Sequence, residues 1–251
     1  MSERGKIGPQ PDEFPAGINW IEDWPVVVPD RFPVPPAHTS FVEEYTSPTL
    51  HPRWISPGPD PRTFIRPRTR THDDEGSGGG SGGGGQDGGI VLSAGREPTA
   101  REARGLLAVR TQDPHWQTTA TVSAGDVCLI VRFDDAHWAA LERRGDVLSA
   151  RVVVGPLDQT LATVTGIGTD QALAIRAVAY PETRTFPEGP DQLHLGHLED
   201  GEFRALAAVD GRYLSTEVAG GFTGRAVGVE APGADAVLTR FEYRALATAT
   251  T

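Results

Sequence analysis

An all-β fold, a sandwich or a barrel, is what this 251-residue chain predicts, and three observations carry the prediction. Beyond Ile90, short apolar-alternating runs are separated by turn signals every 8 to 12 residues or so, the rhythm of strands joined by tight turns. Within the runs the period is two. Val237, Thr239, Phe241 and Tyr243 point one way, and Leu238, Arg240, Glu242 and Arg244 the other. Trp116, Thr118, Ala120 and Val122 separate in the same way from Gln117, Thr119, Thr121 and Ser123, and the alternation recurs from Val127 through Phe133. Hairpin turns are marked by Gly145-Asp146, Asp200-Gly201 and Asp210-Gly211, residues that accept positive φ cheaply. Neither strand-helix-strand alternation nor a nucleotide-binding glycine loop after a strand is present.

Taken in order, the chain opens with a Pro-rich arm over residues 1–38; 14 of the 21 Pro lie in residues 1–67. Repeated fixing of φ and loss of backbone donors predicts an arm without a regular sheet or long helix. Its apolar residues, Phe14, Ile18, Trp20, Trp24 and Val26 to Val28, are too many for a solvated tail, so Trp20, Trp24 and Val27 are candidate partner-interface residues. A sandwich domain then spans 39–246. Trp54 is an aromatic anchor for its core, where burial is worth about 2 to 3 kcal/mol by area. Residues 76–89 hold 10 of the 30 Gly and predict a flexible loop interrupting the domain. Roughly twelve strands are expected by spacing. One short helix is expected around Leu214 to Ala219, capped by Ser215 and stopped by Gly220-Gly221. A disordered tail is expected over 247–251.

Composition excludes several function classes. The balance of 34 acidic against 23 basic residues, net −11, opposes binding to a phosphate backbone, so no nucleic-acid partner is expected. Cys128 is alone, which rules out an intramolecular disulfide and a thiolate cluster. No run of about 18 apolar residues or signal-peptide stretch occurs, which predicts a soluble, cytoplasmic chain with no membrane partner.

Few residues suggest chemistry. His194 and His197 have helical metal-ligand spacing but sit in a strand-like segment, where they point to opposite faces. No metal site is assigned. Structural calcium has no supporting Asp-rich loop, and no cofactor is expected. The run Phe133 to Trp138 gathers Asp134, Asp135, His137 and Trp138 between two strands. That mixture suits sugar contact by stacking and hydrogen bonding, and it equally suits a plain turn with Trp138 entering the core. Trp116, His137 and Trp138 are therefore the ligand-binding candidates. Glycosidase chemistry needs two carboxylic groups about 5 to 9.5 Å apart. Adjacent pairs such as Glu43-Glu44 and Asp73-Asp74 diverge, so no catalytic residue is assigned.

Several stretches together carry a resemblance. Phe14 to Val28 (FPAGINWIEDWPVVV) resembles the segment in glycoside hydrolase family 43 enzymes that runs from the catalytic propeller to an accessory domain. Phe41 to Gly58, with Leu50, Pro52, Arg53 and Trp54, is similar to the opening of that domain, Tyr213 to Gly224 to the turn before its closing hairpin, and Phe222 to Tyr243 to the hairpin itself. The resemblance implies a concanavalin A-like (jelly-roll) sandwich of two antiparallel sheets. Family relatives of the β-xylosidase and α-arabinofuranosidase type carry their catalytic carboxylates on a five-bladed propeller ahead of the sandwich. Only about thirteen residues precede Phe14 here, so no catalytic residue of the family transfers. The expected function is a non-catalytic accessory sandwich that packs on, or completes, a catalytic propeller. A free-standing carbohydrate-binding module is the alternative, with an oligosaccharide as partner.

Overall fold

Alternating apolar residues and glycine-bearing turns build sixteen strands among the residues described by the computed structural model, which are 17–28, 38–47, 49–68, 88–94, 105–169, 171–180 and 190–247. The strands are β1 (Gly17–Ile21), β2 (Trp24–Val28), β3 (Phe41–Glu43), β4 (Ile65–Pro67), β5 (Ile90–Leu92), β6 (Leu107–Arg110), β7 (Trp116–Ala124) and β8 (Val127–Arg132). There follow β9 (His137–Arg144), β10 (Val147–Val154), β11 (Leu157–Val164), β12 (Leu173–Ala179), β13 (Asp191–Glu199), β14 (Glu202–Asp210), β15 (Ala226–Glu230) and β16 (Ala236–Ala245). One sheet has the order β11-β10-β9-β8-β15-β6, and the other β14-β13-β12-β7-β16-β5-β4 with β3 pairing β16. Every pairing is antiparallel. The expected two-sheet sandwich is thus present.

Its core lies between the sheets. Trp116, Ile175, Leu193, Leu195, Phe241 and Tyr243 face Leu129, Val131, Leu141 and Leu148 of the smaller sheet, and all are buried. Trp54 takes the expected core position, 5.0 Å ring to ring from Phe241. Tyr243 stacks on Trp116, and its hydroxyl donates to Asp113 and accepts from the Gln112 and Asp113 amides. Burial pushes that phenol well above its ordinary pKa. Arg143 is buried too. It spans the layers, donating to the Val122 carbonyl at 3.1 Å and the Gly168 carbonyl at 3.4 Å, and burial lowers its pKa.

Turn chemistry follows the expectation at Gly145 (φ 58°) and at Asp200-Gly201 (φ 52° and 78°). Asp210-Gly211 departs from it. Asp210 caps a 3-10 turn, Gly211–Leu214, through its side chain on the Arg212 amide, so β14 ends there without a hairpin. The predicted short helix is α1 (Thr216–Ala219), closed by Gly220 at φ 72°. Ser215 precedes it but does not cap it by side chain; its hydroxyl donates to the Arg212 carbonyl.

Three further expectations need correction. The expected alternation in β16 holds from Phe241 onward but is out of phase before it, because the bulge between Leu238 and Arg240 leaves Thr239 unpaired with β7. Leu238 is consequently fully buried, and Val237 and Thr239 are not. Residues 127–131 are buried throughout, on both faces of a strand that lies between β9 and β15. The Pro-rich arm, expected to lack a regular sheet, carries the two-stranded ribbon β1-β2. Pro25 opposes Trp20 in its second strand, and Glu22 and Asp23 form the turn with φ 49° and 65°. A two-stranded ribbon tolerates Pro where a sheet interior does not. Most of the Gly-rich loop lies outside the described residues, as does 248–251. Its last two glycines are described, and Gly88 backs onto the Glu44 carbonyl so closely that a Cβ would sit 2.0 Å from the oxygen.

Candidate functional site

Three chain segments meet at one end of the sandwich: the β8–β9 turn, the β10–β11 turn and the loop from Gly211 to Gly224. Asp134 organises the first. Its Oδ1 accepts from the Ala136 amide and lies 2.8 Å from Nδ1 of His137, while Arg132 pairs with Asp135. This is the plain-turn reading of that run. The Gly155 amide donates to the Ala136 carbonyl at 2.8 Å, bringing in the β10–β11 turn, and the Thr223 hydroxyl donates to the Phe133 carbonyl at 3.2 Å, bringing in the long loop.

Two arginines tie that loop down. Arg225 donates to the Gly211 and Leu214 carbonyls and pairs with Asp191, and Arg110 donates to the Thr223 and Gly224 carbonyls. Held in this way, the end of the sandwich presents apolar side chains to solvent: Leu157, Tyr213, Val218 and Phe222. Phe222 is 100% exposed. An aromatic ring placed wholly in water on an anchored loop forgoes about 2 kcal/mol of burial.

The residues singled out by sequence fall in different places. Trp116 is 1% exposed on the inner face of the larger sheet, and Trp138 is 3% exposed on β9 of the smaller one. Neither ring has a free face for stacking on a sugar, because the sandwich needs both for packing. His137 adjoins Trp138, turned toward Asp134. Beside Trp138 the Arg151 guanidinium lies 5.5 Å from its ring and pairs with Glu142 and Asp158. Arg151 and Glu142 line a surface depression of about 390 Å³ together with Arg144, Val147, Ser149 and Thr160. Trp20, Trp24 and Val27 lie on the ribbon and are exposed by 70, 75 and 61%. Trp20 opposes Pro25 and Trp24 opposes Ile21, so the two indoles point to opposite faces of the ribbon. His194 and His197 do diverge within β13, and among the described residues no three His, Cys, Asp or Glu gather as a metal would require. Phe222 was not singled out from sequence, although an aromatic flanked by Gly220, Gly221 and Gly224 is a signal of an exposed loop tip.

A sandwich of two antiparallel sheets with its core between them has the concanavalin A-like architecture. The chain belongs to the family of the β-xylosidase C-terminal concanavalin A-like domain, whose model matches residues 85–243. Solved structures share the fold. Xyloglucan PUL GH43B of Bacteroides ovatus is 19% identical with a TM-score of 0.62, over 91% of this chain and 46% of that one. Xylan β-1,4-xylosidase of Bacillus halodurans is 17% identical with a TM-score of 0.63, over 90% and 46%. A bifunctional GH43-CE protein of Bacteroides eggerthii is 12% identical with a TM-score of 0.63, over 92% and 30%. The chain therefore spans less than half the length of these structures. No curated protein matches it. No described helix is long and apolar enough to cross a membrane.

Proposed function

We propose that this sandwich is a non-catalytic accessory domain that packs on, or completes, a catalytic propeller of the family 43 glycoside hydrolase type, acting in the breakdown of xylo-oligosaccharides or polysaccharide side chains. The observation that carries the reading is the exposed apolar end, with Phe222 at its tip, on a chain that matches the C-terminal domain family. The ribbon residues Trp20 and Val27 on one face and Trp24 on the other supply further apolar contacts for the same partner. Purified chain should release no sugar from aryl xylosides or arabinosides. A native pull-down from the host should recover a propeller-sized glycosidase, identified by mass, and Phe222→Ala should reduce that recovery. Enzyme-like turnover by the purified chain overturns the non-catalytic part, and recovery of no glycosidase overturns the docking part.

A second reading, a free-standing carbohydrate-binding module, draws support from the polar depression beside Trp138. Unchanged tryptophan fluorescence on titration with xylan and arabinan oligosaccharides removes that support.

A further inference from the structure

The outer face of the larger sheet carries an arrangement that the docking reading does not use. His194 on β13, Arg176 on β12, Gln117 on β7 and Arg244 on β16 stand in register as one row across four strands. The row points away from the core because their neighbours Leu193, Ile175, Trp116 and Tyr243 point into it. Two guanidinium groups therefore lie two strands apart, about 10 Å between backbones. Among the described residues neither meets a carboxylate. Glu242, two residues from Arg244 on β16, is engaged by Arg240 at 3.1 Å.

Arg176 is held in place without being neutralised. Its Nε and Nη2 donate to Gln117 Oε1 at 2.9 and 2.7 Å, and its guanidinium lies 4.4 Å from the Phe203 ring on β14. Gly196, on the strand between them, has no side chain to obstruct that reach. Burial and the charge of Arg244 lower the pKa of Arg176, and burial and the charge of Arg176 lower that of His194; among the described residues the two guanidinium groups have no carboxylate to offset them. On a chain of net charge −11 this is a local cluster of positive charge. A guanidinium fixed by its neighbours loses little entropy on pairing with a carboxylate, and the half-buried His194 adds a group that suits a hydroxyl, whereas Gln117 and Thr119 are themselves buried.

We propose that this row binds a carboxylate-bearing glycan, a hexuronate-substituted oligosaccharide, across the strands of the outer face. The proposal rests on family membership for the glycan class and does not depend on docking to a propeller.

The test is calorimetric titration of the full chain at low salt with a glucuronic-acid-bearing xylo-oligosaccharide and with its unsubstituted counterpart. The acidic sugar should bind at least about tenfold more tightly, and Arg176→Gln and Arg244→Gln should each cost about tenfold. Added salt should weaken binding. Arg244 is exposed and its side chain makes no hydrogen bond among the described residues, so Arg244→Gln should unfold at the parent's temperature and decides the matter if Arg176→Gln misfolds. Equal affinity for the two sugars, or no binding of the acidic one, overturns the proposal. So does binding of a glutamate-rich peptide in place of the sugar, which would assign the row to an acidic protein segment.

Discussion

Arg225 and Asp191 form the buried ion pair that closes the Phe222 loop against the body of the sandwich, Nη1 to Oδ2 at 2.5 Å. Arg225 comes from the start of the loop's outgoing strand segment, and Asp191 opens β13. Asp191 Oδ1 has no hydrogen-bond partner, so the carboxylate depends on this arginine for compensation.

Arg225→Met should destabilise the chain by about 3 kcal/mol, because removing one member strands a buried charge. Chemical denaturation should show a lower midpoint with an unchanged slope. The double variant with Asp191→Leu should recover much of the loss, since both charges are then gone. A single variant indistinguishable from the parent would mean that the pair holds nothing together.

Phe222→Ala should leave the unfolding free energy of the isolated chain within about 0.5 kcal/mol of the parent, since the ring packs on nothing. A larger loss would show that the ring is covered in solution.

Gly88→Ala should cost about 2 kcal/mol or more in the same denaturation experiment, because its Cβ would collide with the Glu44 carbonyl, which is backbone and cannot rotate away. Substituting glycines in the stretch 76–85 should cost nothing comparable if that stretch is the flexible loop its composition predicts.

His194 should make stability fall on acidification. Burial first, and the Arg176 charge second, lower its pKa from 6.5 in the folded state. Between that lowered value and 6.5 the unfolded chain holds more protons than the folded one, so stability rises with pH across this window and levels off above it. Thermal melts from pH 5 to 8 should show the slope, and His194→Gln should reduce it. An unchanged slope in the variant would place the dependence on other groups.

Much of the architecture is legible without coordinates. Alternation and turn glycines specify a sandwich-like all-β chain, Gly145 and Asp200-Gly201 mark hairpins, Gly220 ends the one helix, and Trp54 belongs to the core. These are local properties, because side-chain period and permitted φ are set within a few residues. Other features are not local. Whether Val127 to Val131 has a wet face depends on what covers the sheet, and whether Leu238 or Val237 turns inward depends on bulges formed against β7. The candidate site divides in the same way. The sequence by itself marked Trp20 and Trp24 as candidate interface residues and left Phe133 to Trp138 open between sugar contact and a plain turn. Only the tertiary structure decided that Trp116 and Trp138 are spent on packing, that Phe222 stands in water, and that Arg176 and Arg244 flank Gln117 in one row. The reason is physical: a strand's residues encode which way each side chain points, but pairing register and layer stacking, set by contacts between residues far apart in the chain, decide what it meets there.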